Sequence, residues 1–151
     1  MPTLKDQLRA DLTAAMKARD DTRTRTLRMA LTSISTEEVS GAAAHDLTND
    51  EVIKILTREA KRRREAAAAF ADAGRGDQAA AELAEERVLT GYLPAQLGDE
   101  ELAAMVAAAI GETGASGPAG IGQVMKLLTP RVAGRAEGSR VAAQVRDQLG
   151  S

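Results

Sequence analysis

The stretch Thr48–Gly76, TNDEVIKILTREAKRRREAAAAFADAGRG, decides the fold class. It opens with Thr48 and Glu51 three residues apart, the spacing at which a hydroxyl and a carboxylate each accept a backbone N–H at a helix start. It closes on Gly74 and Gly76, which suit a helix stop. Between them there is no proline, and the alanine run Ala66–Ala69 favours helix. With each residue advancing about 100°, Val52, Leu56, Ala67 and Phe70 line one face. Glu59 and Arg63 fall inside that apolar face, four apart with the acid first, the favourable order for an ion pair. A long amphipathic helix is therefore expected to about Ala73, with charge where its core contacts should be.

The same signals repeat on either side. Thr3 and Asp6 form an approximate capping box for a first helix from about Leu4 to Arg19, carried by Leu4, Leu8, Leu12 and Met16. A second helix is expected over about Thr22–Val39 on Leu27, Ala30, Leu31 and Ile34, ended by Gly41. A loop, Gly41–Asp46, holds His45, and a fourth helix covers about Asp77–Thr90. Pro94 is the best candidate boundary, because a residue preceding proline is pushed out of helical geometry. Beyond it Gly98-Asp99-Glu100-Glu101 starts a helix on Leu102, Met105, Val106 and Ile110. A loop over Gly111–Gly122 follows, then a helix over Ile121, Val124, Met125 and Leu128, a loop around Gly134–Gly138, and a last helix capped by Ser139. The expectation is an all-α chain, a four-helix bundle over residues 1–93 followed by a three-helix bundle over 94–151.

Composition narrows function. Of 151 residues only Phe70 and Tyr92 are aromatic and none is tryptophan, too few for modules that stack unpaired bases or build aromatic cages. The 20 Lys and Arg against 22 Asp and Glu give a formal charge of -2, so any anion-binding surface must be local. No cysteine is present, which removes disulfides, thiolate metal sites and thiol nucleophiles. His45 is the only histidine, so no metal site or catalytic triad is expected, and no cofactor motif is apparent. Gly117-Pro-Ala-Gly-Ile-Gly122 lacks the Gly-Lys-Ser/Thr ending of a P-loop. With no apolar stretch of about 18 residues, no membrane span is expected, and a cytoplasmic location is the default.

Charge on the apolar faces is the main anomaly. Arg23 and Glu38 extend the second helix's stripe at either end, and Glu82 and Glu86 sit among Leu83, Leu89 and Leu93 in the fourth. With Glu59 and Arg63, three helices aim charge toward one another. Two readings fit: an ion-pair layer that sets helix register, or a polar pocket for a ligand or an RNA phosphate. The run Lys61-Arg62-Arg63-Arg64 cannot form one contact surface on a helix; at most Lys61, Arg64 and Arg58 share a face, and a solvated side balanced by Glu59 and Glu65 is the ordinary reading.

Two regions are locally positive by three charges. Lys17–Arg28 holds five cations against two anions, and Gly120–Ser151 holds five (Lys126, Arg131, Arg135, Arg140 and Arg146) against two. The second region coincides with glycine-rich loops and two helix starts, where backbone N–H groups suit phosphate. RNA contact and plain solvation are both compatible with it.

Leu27-Arg28-Met29, Arg58-Glu59-Ala60-Lys61-Arg62-Arg63, Ala73-Gly74-Arg75, Tyr92-Leu93-Pro94-Ala95-Gln96-Leu97, Gly114-Ala115-Ser116 and Ile121-Gly122-Gln123-Val124-Met125-Lys126 occur in that order, followed by Pro130, Val132 and Gly134-Arg135-Ala136. In this order and spacing the chain resembles the YqeY-like family across essentially its whole length. That family is similar to the C-terminal part of the B subunit of the glutamine-dependent Asp/Glu-tRNA amidotransferase (GatB). The resemblance implies a four-helix bundle followed by a three-helix bundle, and a grip on the outer corner of tRNA. It makes Lys126, Arg131, Arg135 and Arg140 the RNA-contact candidates, and Arg28, Glu59, Lys61, Arg63 and Glu82 a possible additional polar site. Where such proteins often carry a serine after the basic motif, this chain has Ala66. The family association also implies glutamine-dependent carbon-nitrogen ligase activity, although the catalytic sites of the full enzyme lie outside the region resembled and no catalytic residues are assigned. The expected function is a tRNA-binding or amidation-associated module. The alternative is an adaptor that docks on amidotransferase subunits or an aminoacyl-tRNA synthetase through the acidic helix Asp99–Glu112.

Overall fold

The computed structural model describes residues 2–150, and among these the chain is all-helical. It divides between Leu93 and Pro94 into two compact units. No helix among the described residues is long and apolar enough to cross a membrane.

The N-terminal unit comprises α1 (Leu4–Lys17), α2 (Asp21–Glu38), α3 (Asn49–Asp72) and α4 (Gly76–Thr90). Both capping boxes form: Thr3 and Asp6 exchange backbone N–H bonds at the start of α1, and Thr48 and Glu51 do so at the start of α3. The core is aliphatic, built from Leu8, Leu27, Ile34, Val52, Leu56 and Leu89, each at most 1% exposed. Burial of each such side chain contributes about 1.5–3 kcal/mol. Two polar pins fix α1: Lys5 Nζ donates to Glu38 at 2.7 Å, and the Leu4 N–H donates to Asn49 Oδ1 at 3.0 Å.

The boundaries depart from the sequence expectation at identifiable points. Helix α1 stops at Lys17, and Arg19 turns the chain at φ 58°, a left-handed conformation unusual for a non-glycine residue. Helix α2 ends at Glu38 with Val39 as its C-cap, so Gly41 is not its terminator. Gly74, at φ 75°, does close the turn after α3, as a left-handed residue there must.

The C-terminal unit comprises α5 (Asp99–Thr113), a single 3-10 turn at Pro118–Gly120, α6 (Ile121–Val132) and α7 (Gly138–Leu149). Leu102, Val106, Val124, Leu128, Val141 and Val145 form its core. Helix α5 runs through Gly111 to Thr113, three residues further than expected, and stops at Gly114 in the left-handed region. Helix α6 carries Pro130 in its last turn, where it gives up one i to i−4 bond and the helix ends two residues later. Ser139 does not cap α7: the N-cap position is Glu137, and no side chain bonds the helix start. Gly120 is required by packing, since a Cβ there would lie 2.7 Å from Ala115 Cβ.

Candidate functional site

The charge predicted on the apolar faces of the N-terminal unit is real, and it is paired. Arg63 Nη1 donates to Glu59 Oε2 at 2.6 Å, and both side chains are more than nine-tenths buried. Glu59 Oε1 accepts from Ser33 Oγ of α2 at 3.0 Å and from Arg62 Nη1 at 3.3 Å. Glu85 of α4, also buried, accepts from Arg25 Nε of α2 at 2.9 Å and places its other oxygen 3.6 Å from Arg63 Nε. The Glu85 carboxylate beside Arg25 raises that guanidinium's pKa. The layer thus joins α2, α3 and α4, as carboxylates and guanidiniums must when withdrawn from water together.

Several residues assigned to this layer from sequence stand elsewhere. The α4 carboxylate that bonds into the layer is Glu85; Glu82 is half-buried and adds its charge to the field on Arg25, and Leu83, one of its supposed apolar neighbours, is 39% exposed. Alanine-rich α4 has too little hydrophobic contrast for its inward face to be read from spacing. Arg28 is exposed, with Nη2 3.8 Å from Met16 Sδ, and Lys61 is exposed on the outside of α3. Arg23 and Glu38, at the ends of the α2 stripe, find partners in Tyr92 and Lys5. Glu86 meets Arg64 at 3.2 Å. Ala66 is half-buried.

That last pair re-sorts the basic run. Arg64 turns toward α4 and leaves the outer face of α3. Lys54, Arg58, Lys61 and Arg62 are all exposed and lie at i, i+4, i+7 and i+8, which places them within about 100° of arc. Glu65 lies within the same arc.

A second polar node was not anticipated. The Tyr92 hydroxyl donates to Asp11 Oδ2 at 2.6 Å and accepts from Arg23 Nη2 at 2.9 Å, tying α1 and α2 to the segment after α4. Burial and the Asp11 carboxylate push the phenol's pKa well above its ordinary value. His45 approaches Glu51 to 3.7 Å; among the described residues no cluster of side chains suited to a metal ion occurs.

In the C-terminal unit the four candidate cations differ in what they have left to offer. The stretch 95–97 docks along the loop after α6: the Leu97 N–H donates to the Arg135 carbonyl at 2.8 Å, and Gln96 Nε2 donates to the Gly134 carbonyl at 2.8 Å. Arg135 Nε returns a bond to the Ala95 carbonyl at 3.2 Å. Arg140 Nη2 bridges the Leu97 carbonyl and Asp99 Oδ1. Arg131 is paired with Glu112 at 2.6 Å. Lys126 is exposed in the middle of α6, two turns before the loop that holds Arg135.

The family model for YqeY-like proteins matches residues 5–149. The chain belongs to the YqeY-like family. No curated protein matches it. The stretches quoted for the resemblance fall at structurally demanding places of this YqeY-like chain: Arg58–Arg63 builds the ion-pair layer, Tyr92–Leu97 supplies the phenol node and the docked segment, and Gly134–Ala136 is the loop it docks on.

Proposed function

We propose that this YqeY-like protein is a tRNA-binding helical module associated with tRNA-dependent amidation in the cytoplasm, and that it contacts RNA through phosphate and shape. The observation that carries the reading is Arg135. Its Nε is anchored on a neutral carbonyl, with no acidic partner described, so the guanidinium keeps its charge while its orientation is restrained. A pre-oriented guanidinium fits a phosphate without a further ordering cost. Lys126 and the α3 row of Lys54, Arg58, Lys61 and Arg62 supply further exposed cations. With two aromatic residues in the chain, backbone contact is the mode available.

The adaptor reading draws less support. Two acids of α5 are spent within the unit, Asp99 on Arg140 and Glu112 on Arg131. The carbon-nitrogen ligase reading rests on family association alone.

Binding of bulk tRNA across a salt series tests the proposal. K126A and R135A are each expected to lower the salt slope by about 0.7–0.9, because each removes the partner of one phosphate. R131A is expected to lower it less, because Glu112 already neutralises that side chain. Unchanged slopes, or no tRNA binding by the parent at low salt, overturn the reading. Co-purification of an amidotransferase or synthetase that survives nuclease would favour the adaptor instead.

A further inference from the structure

The guanidinium of Arg63 is buried, yet only half of it is well satisfied. Nη1 is held by the carboxylate and main-chain oxygen of Glu59. Nε makes no hydrogen bond. Nη2 is directed at Met29 Sδ, 3.5 Å away, and a thioether is a weak acceptor. Met29 itself is 46% exposed, so its side chain is open to a solvent-borne oxidant.

We propose that Met29 is an oxidative modification site whose sulfoxide is received by Arg63, so that oxidation there tightens the ion-pair layer instead of disrupting it. The step is a two-electron oxidation by hydrogen peroxide. A sulfur lone pair attacks one peroxide oxygen, the O–O bond breaks, an S–O bond forms, and the other oxygen leaves as water after proton transfer. The sulfoxide oxygen is a strong acceptor on the atom that already faces Nη2. An N–H···O distance of about 2.9 Å is reached if the half-exposed side chain yields by a fraction of an ångström. The general expectation for methionine oxidation is the reverse, since a polar group introduced into a packed surface usually loosens it. Here the surface is short of an acceptor.

The experiment uses the full chain in an M16L background, because Met16 is 49% exposed and would oxidise as well. Hydrogen peroxide is titrated in, with the oxidised sites read by peptide mass spectrometry. Unfolding of the N-terminal unit is followed through Tyr92, the only tyrosine. Met29 is expected to oxidise ahead of the half-buried Met105 and Met125, and the Tyr92-reported midpoint to rise, on the order of 4–8 °C. M29Q, which places a carbonyl oxygen where the sulfoxide oxygen would be, is expected to melt above M29L without any oxidant. An M16L/M29L double variant is expected to show no rise on peroxide treatment. A fall or no change in midpoint when Met29 is oxidised, oxidation of Met105 or Met125 first, or M29Q melting at or below M29L each overturns the proposal.

Discussion

Arg63 and Glu59 lie one turn apart on α3, joined at 2.6 Å, with neither side chain more than 7% exposed. Removing one partner leaves a charge buried without its main counterpart. R63A or E59A is expected to cost about 3–5 kcal/mol, whereas replacing both with leucine or methionine of similar volume costs much less. Chemical denaturation of the three variants separates these outcomes; equal losses in single and double variants would mean that packing, not charge, governs the site.

Tyr92 offers a spectroscopic test in a chain without tryptophan. Its phenol is held protonated by burial and by the adjacent Asp11 carboxylate, so its folded pKa is raised. The stabilisation is complete below the unfolded value of about 10 and is lost as pH rises beyond it. The tyrosinate absorbance of the native protein is therefore expected to stay low past that pH and to appear together with unfolding. Y92F, which leaves Asp11 and Arg23 without their shared partner, is expected to lower stability by about 1–3 kcal/mol.

At the acid end the capping boxes respond. Backbone and hydroxyl bonds from Thr3 and Thr48 hold the Asp6 and Glu51 carboxyls below their ordinary pKa values. Their support is present above those ordinary values and is lost as pH falls through the lowered ones. Amide protection factors, taken against the intrinsic rate at each pH, are expected to fall at the first turns of α1 and α3 below about pH 4, and D6N or E51Q to remove that pH dependence at its own helix start. Unchanged protection factors at both ends through this range would contradict the assignment.

Two glycines separate packing from backbone strain. Gly120→Ala drives a methyl group into Ala115 at 2.7 Å and is expected to cost about 1–3 kcal/mol in the C-terminal unit by overpacking. Gly74→Ala meets nothing within 4 Å and is expected to cost about 1–2 kcal/mol, from the left-handed φ of 75° alone. Trimming Ala115 to glycine should rescue the first variant. No such neighbour exists to rescue the second.

Much of this was open to reading in the chain itself. Thr3 with Asp6, Thr48 with Glu51 and Gly74 announced the ends of α1 and α3, because caps are local chemistry decided within four residues. Glu59 and Arg63 were visible as a pair for the same reason: both sit on one helix, and helical periodicity orients them relative to each other. What periodicity does not supply is the rotation of one helix against its neighbours. Glu85 rather than Glu82 faces Arg63, Arg64 leaves the basic row for Glu86, and Tyr92 reaches Asp11 across 81 residues of sequence. Likewise the four cations of the C-terminal unit counted equally in the sequence, and only packing made Arg131 and Arg140 spend their charge on Glu112 and Asp99 while Arg135 is braced by a carbonyl. The sequence determined the helices and the presence of charge on their inner faces. Tertiary packing chose the partners, since long side chains on an alanine-rich surface can meet any of several acids and only the helix axes decide which one is near.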